Sequence, residues 1–209
     1  MDKKSKSNHP SAQQVLIDEL LRLARQNGFS EKTCQIAIGF MHCYREALEA
    51  SDLSFEEHLP TFRLFFQLLL DQLKSPHSFE PYHRKVRHPI DYYRFGLDFI
   101  RPLIDLDASR VYGLDQVNII AEQIAKGENA IFLANHQTET DPQVIAILLE
   151  RTHPKLAEQM IYVAGERVVT DPLAIPFSLG CDLLCIYSKR YIDYPPEQKA
   201  KKQLHNKNT

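Results

Sequence analysis

The hydrophobic pattern of the first 75 residues repeats with the period of an α-helix. Apolar side chains recur every three or four residues, which places them on one helical face. Ser11 and Ser30 are suited to cap two of these segments. Three helices are predicted, over Ala12 to Gln26, Ser30 to about Ala50, and Phe55 to Lys74. In the first helix the apolar face comprises Val15, Leu16, Leu20, Leu23 and Ala24. The pattern therefore predicts an N-terminal helical domain over residues 1–77.

Residues 75–89 are rich in proline and histidine and are predicted to form a loop. Beyond them, the period of the hydrophobic pattern changes. After an amphipathic helical segment over Ile90 to Ile104, short apolar runs alternate with helical patterns. Strands are predicted over 110–112, 129–134, 161–164 and 183–187, and helices over 115–126 and 142–151. Such alternation predicts an α/β fold class with a mixed, mostly parallel sheet over residues 78–209. The polar tail from Tyr194 onward is predicted to be loosely structured.

Composition and charge narrow the class of protein. The chain is 44% hydrophobic with a formal net charge of -2, which is typical of a globular protein and excludes a generally basic nucleic-acid binder. From Ser188 onward, the sequence contains six Lys and Arg residues but only two Asp and Glu residues. The longest nearly uncharged apolar run, Phe62 to Leu70, is too short to span a bilayer, so any membrane contact is expected to be peripheral. The polar first ten residues do not predict a secretory signal.

Cysteine and histidine usage predicts neither disulfides nor a metal. The four cysteines form no CxxC pair, and we expect them to be reduced packing residues. His77, His83 and His88 fit no short zinc-ligand spacing and have no cysteine nearby. We therefore expect no metal and no cofactor.

One octet carries candidate chemistry: Asn135-His136-Gln137-Thr138-Glu139-Thr140-Asp141-Pro142. It follows a predicted buried strand, and Pro142 suits the first turn of a helix. His136 and Asp141 are separated by a turn that can bring the carboxylate to one imidazole nitrogen. The other nitrogen is then left to take a proton from an alcohol. The spacing alone allows a second interpretation, in which Asp141 caps the helix of a surface loop.

The octet resembles the active-site block of the soluble glycerol-3-phosphate acyltransferases of plastids and of chlamydia-like bacteria. Flanking segments over 88–105, 163–180 and 185–190 are similar to other blocks of that family, so the resemblance covers about Ser78 to Arg190. It implies His136 as general base and Asp141 as its partner, with Asn135, Gln137, Thr138, Glu139 and Pro142 completing the motif. The implied substrates are glycerol 3-phosphate and an acyl carrier protein or CoA thioester. The implied compartment is the bacterial cytoplasm or the plastid stroma.

The resemblance also implies a site for the substrate phosphate. Arg167 would line this site, although an ion pair with Asp171 or Asp141 would equally satisfy its charge. Lys189-Arg190-Tyr191 stands where the family shows Lys-Lys-His. Arg190 supplies the positive charge there, whereas Tyr191 offers one hydrogen bond and no charge. An exposed basic strand end without a ligand is the alternative interpretation.

Family members continue well beyond Thr209, into a Gly-Gly-Arg-Asp-Arg block that completes the phosphate site. We therefore expect an incomplete acyltransferase α/β domain, marginally stable and with little activity of its own. Two alternatives to a glycerol-3-phosphate 1-O-acyltransferase remain open. One is transfer to 1-acylglycerol 3-phosphate. The other is a non-catalytic truncated fragment or helical binding module, which would dock a membrane surface or the acidic acyl carrier protein, the latter through the basic stretch from Lys189 to Lys207.

Overall fold

The computed structural model describes residues 11–28, 30–190 and 192–209. The chain divides into two compact units, Met1–Ser75 and Pro76–Thr209. A helical first unit followed by a unit with a mixed sheet confirms the predicted α/β fold class. That residues 78–209 form part of an acyltransferase domain separate from a helical domain over 1–77 stays a prediction.

The first unit contains three helices, at the positions that the hydrophobic period predicts. They are α1 (Ala12–Gln26), α2 (Glu31–Glu49) and α3 (Phe55–Lys74). The Ser11 side chain accepts a hydrogen bond from the Gln14 amide, and the Ser30 side chain accepts one from the Thr33 amide, so both are N-caps. Pro60 lies inside α3 near its N-terminus and does not end the helix.

Aromatic packing holds the first unit together. Phe62 is completely buried, and its ring centroid lies 4.9 Å from that of Tyr44 and 5.4 Å from that of Phe66. Leu20 is buried on the predicted face of α1, but Val15, predicted on the same face, is 43% exposed. The prediction was wrong for Val15 because, at 3.6 residues per turn, it points away from the face on which Leu16, Leu20 and Ala24 are buried.

The second unit is built around a three-stranded sheet. Its strands are β1 (Tyr82–His83), β2 (Ile161–Gly165) and β3 (Asp182–Ile186), in the order β1-β3-β2. Strand β2 runs parallel to β3, and Gly165 lies opposite Ile186. The two-residue β1 is antiparallel to β3 and lies in a segment predicted as a loop. Ala164, Leu183 and Cys185 form a buried cluster on this sheet.

Seven helices of the second unit lie in the described part of the chain. They are α4 (Tyr92–Ile100), α5 (Leu114–Ala125), α6 (Asp141–Leu149), α7 (Pro154–Gln159), α8 (Glu166–Thr170), α9 (Ile175–Ser178) and α10 (Lys199–Asn208). Helices α8 and α10 contact the sheet. Short 3-10 turns, Arg101–Leu103 and Pro196–Gln198, follow α4 and precede α10. Helix α10 shows that the prediction of a loosely structured tail was wrong.

Helix α10 is ordered because its side chains bond to the end of β3. The Asn206 amide accepts from the Tyr187 N–H at 2.7 Å and donates to the Tyr187 carbonyl at 2.7 Å. This pair of bonds replaces a neighbouring strand for Tyr187. A mean hydropathy calculated along the tail cannot reveal such contacts, since they depend on where β3 ends.

A close backbone approach joins α9 to α4. Phe95, Phe99 and Phe177 pack with ring centroids 5.3–5.8 Å apart. Just after α9, a Cβ atom on Gly180 would lie 2.5 Å from the Tyr92 carbonyl oxygen. Only glycine permits this approach without a backbone shift.

Two predicted strands are absent from the described structure. Residues 110–112 and 129–134 are irregular, and Ile131 and Leu133 are 87% and 95% exposed. Strand β2 forms one edge of the sheet, so residues 129–134, which were predicted to form a buried strand, do not pair with it. Apolar composition indicates a tendency to form a buried strand, but a strand also needs a hydrogen-bonding neighbour.

The cysteines are all free thiols. Cys34, Cys181 and Cys185 are buried, as expected of packing residues, whereas Cys43 is exposed, which corrects the expectation for that residue. Burial raises the pKa of Cys181 to about 12 and that of Cys185 to about 11. Among the residues described, no helix has both the length and the apolar character needed to cross a membrane.

Candidate active site

The octet spans a turn and the start of a helix. Asp141 is the first residue of α6 and Pro142 the second, in agreement with the prediction that proline would occupy the first helical turn. The Tyr162 hydroxyl, on β2, donates to the Pro142 carbonyl at 3.5 Å, which ties the start of α6 to the sheet. The residues from Asn135 to Glu139 are exposed.

His136 and Asp141 are in direct contact. The His136 Nδ1 atom lies 2.7 Å from Asp141 Oδ2. The same carboxylate accepts hydrogen bonds from the backbone amides of Gln137 at 3.0 Å and Thr138 at 3.1 Å. These amides precede α6, so Asp141 closes the turn of the octet and does not cap the helix that follows. The turn holds the carboxylate and the imidazole together.

The charge of Asp141 determines which imidazole nitrogen carries the hydrogen. Partial burial acts to raise the pKa of Asp141, but the hydrogen bonds from His136, Gln137 and Thr138 outweigh it and hold the pKa below its usual value. An ionised carboxylate is an acceptor only, so His136 Nδ1 must donate. Nε2 then bears the lone pair, and with the side chain 67% exposed this nitrogen can be reached from solvent.

A second carboxylate lies near that nitrogen and pairs with a guanidinium. Glu139 Oε2 is 3.9 Å from His136 Nε2, which is too long for a hydrogen bond. Glu139 Oε1 is 3.4 Å from Arg167 Nη1, and Arg167 is 79% exposed. The ion pair that the sequence suggested for Arg167, with Asp171 or Asp141, is therefore replaced by one with Glu139. Because Arg167 follows the carboxyl end of β2, the pairing depends on the tertiary fold.

The structure does not bring all the predicted phosphate ligands to the octet. Lys189 and Arg190 are exposed in the turn after β3, and Lys189 forms no ion pair with any described residue. Tyr191 lies outside the described residues. Asn135 is exposed and makes no hydrogen bond within the described structure. The contacts therefore join Gln137, Thr138 and Glu139 to the His136–Asp141 pair, together with Arg167.

Sequence reasoning missed a buried lysine close to Arg167. Lys202 was grouped with the exposed basic residues of the tail, but only 3% of it is exposed. Its ammonium donates to the carboxylate of Glu166 at 2.9 and 3.2 Å. Helical periodicity in the tail could have separated Lys202 from Lys199 and Lys201, but nothing local indicated its acidic partner.

Two histidines of the proline-rich segment form an aromatic cluster with a phenylalanine. His77, Phe79 and His83 meet edge to face, with ring centroids 4.6–5.4 Å apart. Burial lowers the pKa of His77; it also lowers that of His83, where the nearby charge of His77 adds to the effect. Across residues 11–28, 30–190 and 192–209, no group of three His, Cys, Asp or Glu side chains is arranged to hold a metal ion.

Comparisons with known proteins agree on one family. A family model described as Acyltransferase matches residues 116–209, which include the octet, Arg167 and Lys202. The chloroplastic glycerol-3-phosphate acyltransferase of Spinacia oleracea is 40% identical over 184 residues, which cover 87% of this chain. That match is longer than the second unit, so it extends into the helical first unit.

Two further relatives have the same name. The chloroplastic glycerol-3-phosphate acyltransferase of Carthamus tinctorius is 43% identical over 71% of this chain, and that of Arabidopsis thaliana is 43% identical over 68%. These matches confirm the resemblance inferred from the octet and its flanks. The chain spans 39% of the length of the Spinacia oleracea (spinach) protein, 32% of the Carthamus tinctorius protein and 31% of the Arabidopsis thaliana protein.

Proposed function

Because this chain carries an acyltransferase domain segment and is homologous to the glycerol-3-phosphate acyltransferases of chloroplasts, we propose that it supplies the acid–base part of such an active site. The reaction is transfer of a fatty acyl group from a thioester to glycerol 3-phosphate, giving 1-acylglycerol 3-phosphate. The observation that carries the proposal is the 2.7 Å contact between His136 and Asp141, which leaves one imidazole nitrogen free. In this proposal residues 78–209 belong to the catalytic domain and residues 1–77 to a helical domain.

His136 acts as the general base. Its Nε2 takes the proton of the acceptor hydroxyl as the oxygen forms a bond to the thioester carbonyl carbon. When the tetrahedral intermediate collapses, the carbon–sulfur bond breaks and the imidazolium returns its proton to the thiolate. Asp141 stabilises the imidazolium between these two steps and retains its own negative charge throughout.

The other motif residues hold this pair and receive the phosphate. The amides of Gln137 and Thr138 fix the Asp141 carboxylate, and Pro142 starts the helix that presents it. Arg167 Nη1 lies 3.4 Å from Glu139, whose carboxylate is 3.9 Å from His136 Nε2, and a guanidinium can bind two phosphate oxygens. We assign Lys189, Arg190 and Tyr191 to the same phosphate and Asn135 to the acceptor side of the site.

Both acyl donors carry negative charge, acyl carrier protein as an acidic protein and CoA through its phosphates. The exposed Lys201 and Lys207 of α10 suit either donor, whereas Lys199 is paired with Asp193 at 2.9 Å. We place the chain in the plastid stroma or, for a bacterial source, the cytoplasm. The chloroplastic relatives support the plastid compartment.

The test measures transfer of labelled glycerol 3-phosphate into lipid. The purified chain is assayed with acyl carrier protein and CoA thioesters. The same assay is run on a chimera in which this chain replaces the matching segment of the spinach enzyme, because the chain spans 39% of that protein. We expect His136→Ala to lower the rate by at least about 10³-fold, as loss of a general base does in related chemistry.

The matched control is His88→Ala, which removes an exposed histidine of the same compact unit. It should leave the rate within about twofold of the unmodified protein. The proposal is wrong if His136→Ala retains most of the rate, or if neither the chain nor the chimera transfers label. Preference for 1-acylglycerol 3-phosphate over glycerol 3-phosphate in a competition assay would transfer the assignment to the alternative acceptor.

A further inference from the structure

Lys202 is a buried lysine in a helix whose other lysines are exposed. Its side chain is 4% exposed, and its ammonium donates to the Tyr194 carbonyl at 2.6 Å as well as to Glu166. The same ammonium lies 5.0 Å from the centroid of the Tyr187 ring. A charge removed from water is costly unless it is paired and hydrogen-bonded. The described contacts fulfil that condition, so the position of this ammonium is well defined.

The ammonium joins the carboxyl ends of two neighbouring parallel strands. Gly165 lies opposite Ile186 in the sheet, so Glu166 and Tyr187 are the next residues along β2 and β3. Lys202 contacts both, and α10 is fixed to β3 by the two bonds from Asn206 to the Tyr187 backbone. Open α/β sheets bind their ligands at this end.

Glu166 is also the neighbour of Arg167 in the chain. Arg167 Nη1 reaches Glu139 of the octet at 3.4 Å. A free Glu166 carboxylate at this position would compete for the guanidinium and would repel a phosphate dianion. With Lys202 bound to it, the charge of Glu166 is compensated.

We propose that Lys202 is a positioning residue: it neutralises Glu166 and fixes the turn over residues 165–167, so that Glu166 does not compete with the substrate phosphate for Arg167. The phosphate part of this inference rests on the proposed function, whereas the fixing of the turn does not. Lys202 acts through Glu166 and touches no reacting atom.

Hydrogen exchange tests the fixing of the turn without any substrate. The Asp171 amide donates to the Arg167 carbonyl at 2.9 Å and reports on α8. In Lys202→Met of the full chain, exchange at Asp171 and Thr170 should be at least about tenfold faster, because the helix loses its anchor. Lys201→Met changes the net charge equally at an exposed site of the same helix and should leave these rates unchanged. Equal rates in Lys202→Met and the unmodified chain overturn the inference.

Phosphate binding tests the neutralisation of Glu166. Glycerol 3-phosphate is titrated into the full chain while the Arg167 Nε–H resonance is followed by NMR. Lys202→Met should raise Kd by about tenfold, and Lys201→Met should leave it unchanged. The double variant Lys202→Met with Glu166→Gln should restore Kd to within about twofold of the original value, because no unpaired carboxylate remains. A double variant that binds as weakly as Lys202→Met contradicts the neutralisation.

The two measurements separate the inference from the proposed function. If the unmodified chain does not bind glycerol 3-phosphate but Lys202→Met accelerates exchange in α8, the phosphate site is wrong and the fixing of the turn stands. If Lys202→Met does not fold, Glu166→Ala removes the same contact from the other side. It should also accelerate exchange at Asp171, and unchanged exchange in that variant overturns the inference.

Discussion

Replacing Asp141 by asparagine should reverse the position of the hydrogen on His136. In the native turn the Asp141 carboxylate can only accept, so it stabilises the Nδ1–H tautomer and leaves Nε2 as the base. Asparagine offers an NH₂ group that can donate to Nδ1, which favours the Nε2–H tautomer. A base whose hydrogen is on Nε2 cannot take a proton from the acceptor hydroxyl.

The magnitude follows from the length of the contact and from its exposure. A hydrogen bond to a charged group contributes about 1.5–3 kcal/mol when it is shielded from water. Because the His136 side chain is 67% exposed, its hydrogen bond to Asp141 contributes about as much free energy as a surface ion pair, about 1 kcal/mol. This corresponds to a change of about fivefold in the ratio of the two neutral tautomers.

Nitrogen-15 NMR of the histidine-labelled chain measures this ratio. At about pH 8.5, where histidine side chains are generally neutral, the Nδ1 and Nε2 shifts of His136 report the tautomer populations. We expect mostly Nδ1–H in the unmodified chain and a shift of about fivefold toward Nε2–H in Asp141→Asn. His153, whose Nε2 lies 2.9 Å from Asn118 Oδ1, is the internal control and should not change.

An unchanged tautomer ratio in Asp141→Asn would refute the assignment of Asp141 as the group that orients His136. If the ratio changes as expected, the active chimera should lose up to about fivefold in activity from the change of tautomer alone, and more in total because asparagine cannot stabilise the imidazolium as the carboxylate does. Stability should fall by only about 1 kcal/mol, since the asparagine oxygen can still accept a hydrogen bond from a turn amide.

Two further predictions concern stability. Gly180→Ala places a Cβ atom 2.5 Å from the Tyr92 carbonyl oxygen, so unfolding by urea should show a loss of about 1–3 kcal/mol; a loss below about 0.5 kcal/mol would mean that the backbone relaxes freely. The depressed pKa of His83 means that, as pH falls below about 6.5, the unfolded chain binds more protons than the native one. Stability should therefore decline on acidification from about pH 7.5 to pH 5.5, and His83→Phe should show a shallower decline. Parallel curves for the two proteins would show that His83 is not responsible.

The local features of this protein were predictable from the sequence. The bounds of α1 and α3, the caps Ser11 and Ser30, and the start of α6 at Asp141 follow from hydrophobic period and end signals. The contact between His136 and Asp141 spans five residues across one turn, so it too depends on neighbours in the chain. Short-range interactions of this kind need no knowledge of the rest of the fold.

Tertiary structure decided the features that join distant segments. Residues 129–134 have the composition of a strand, but they are irregular and largely exposed, because composition cannot provide a neighbouring backbone to pair with. Glu139 and Arg167 come from different elements of the second unit, and Lys202 reaches Glu166 across 36 residues. In both ion pairs, the position at which β2 ends determines which side chains come into contact. The octet alone therefore predicts the acid–base pair, whereas the charges around it depend on the folded chain.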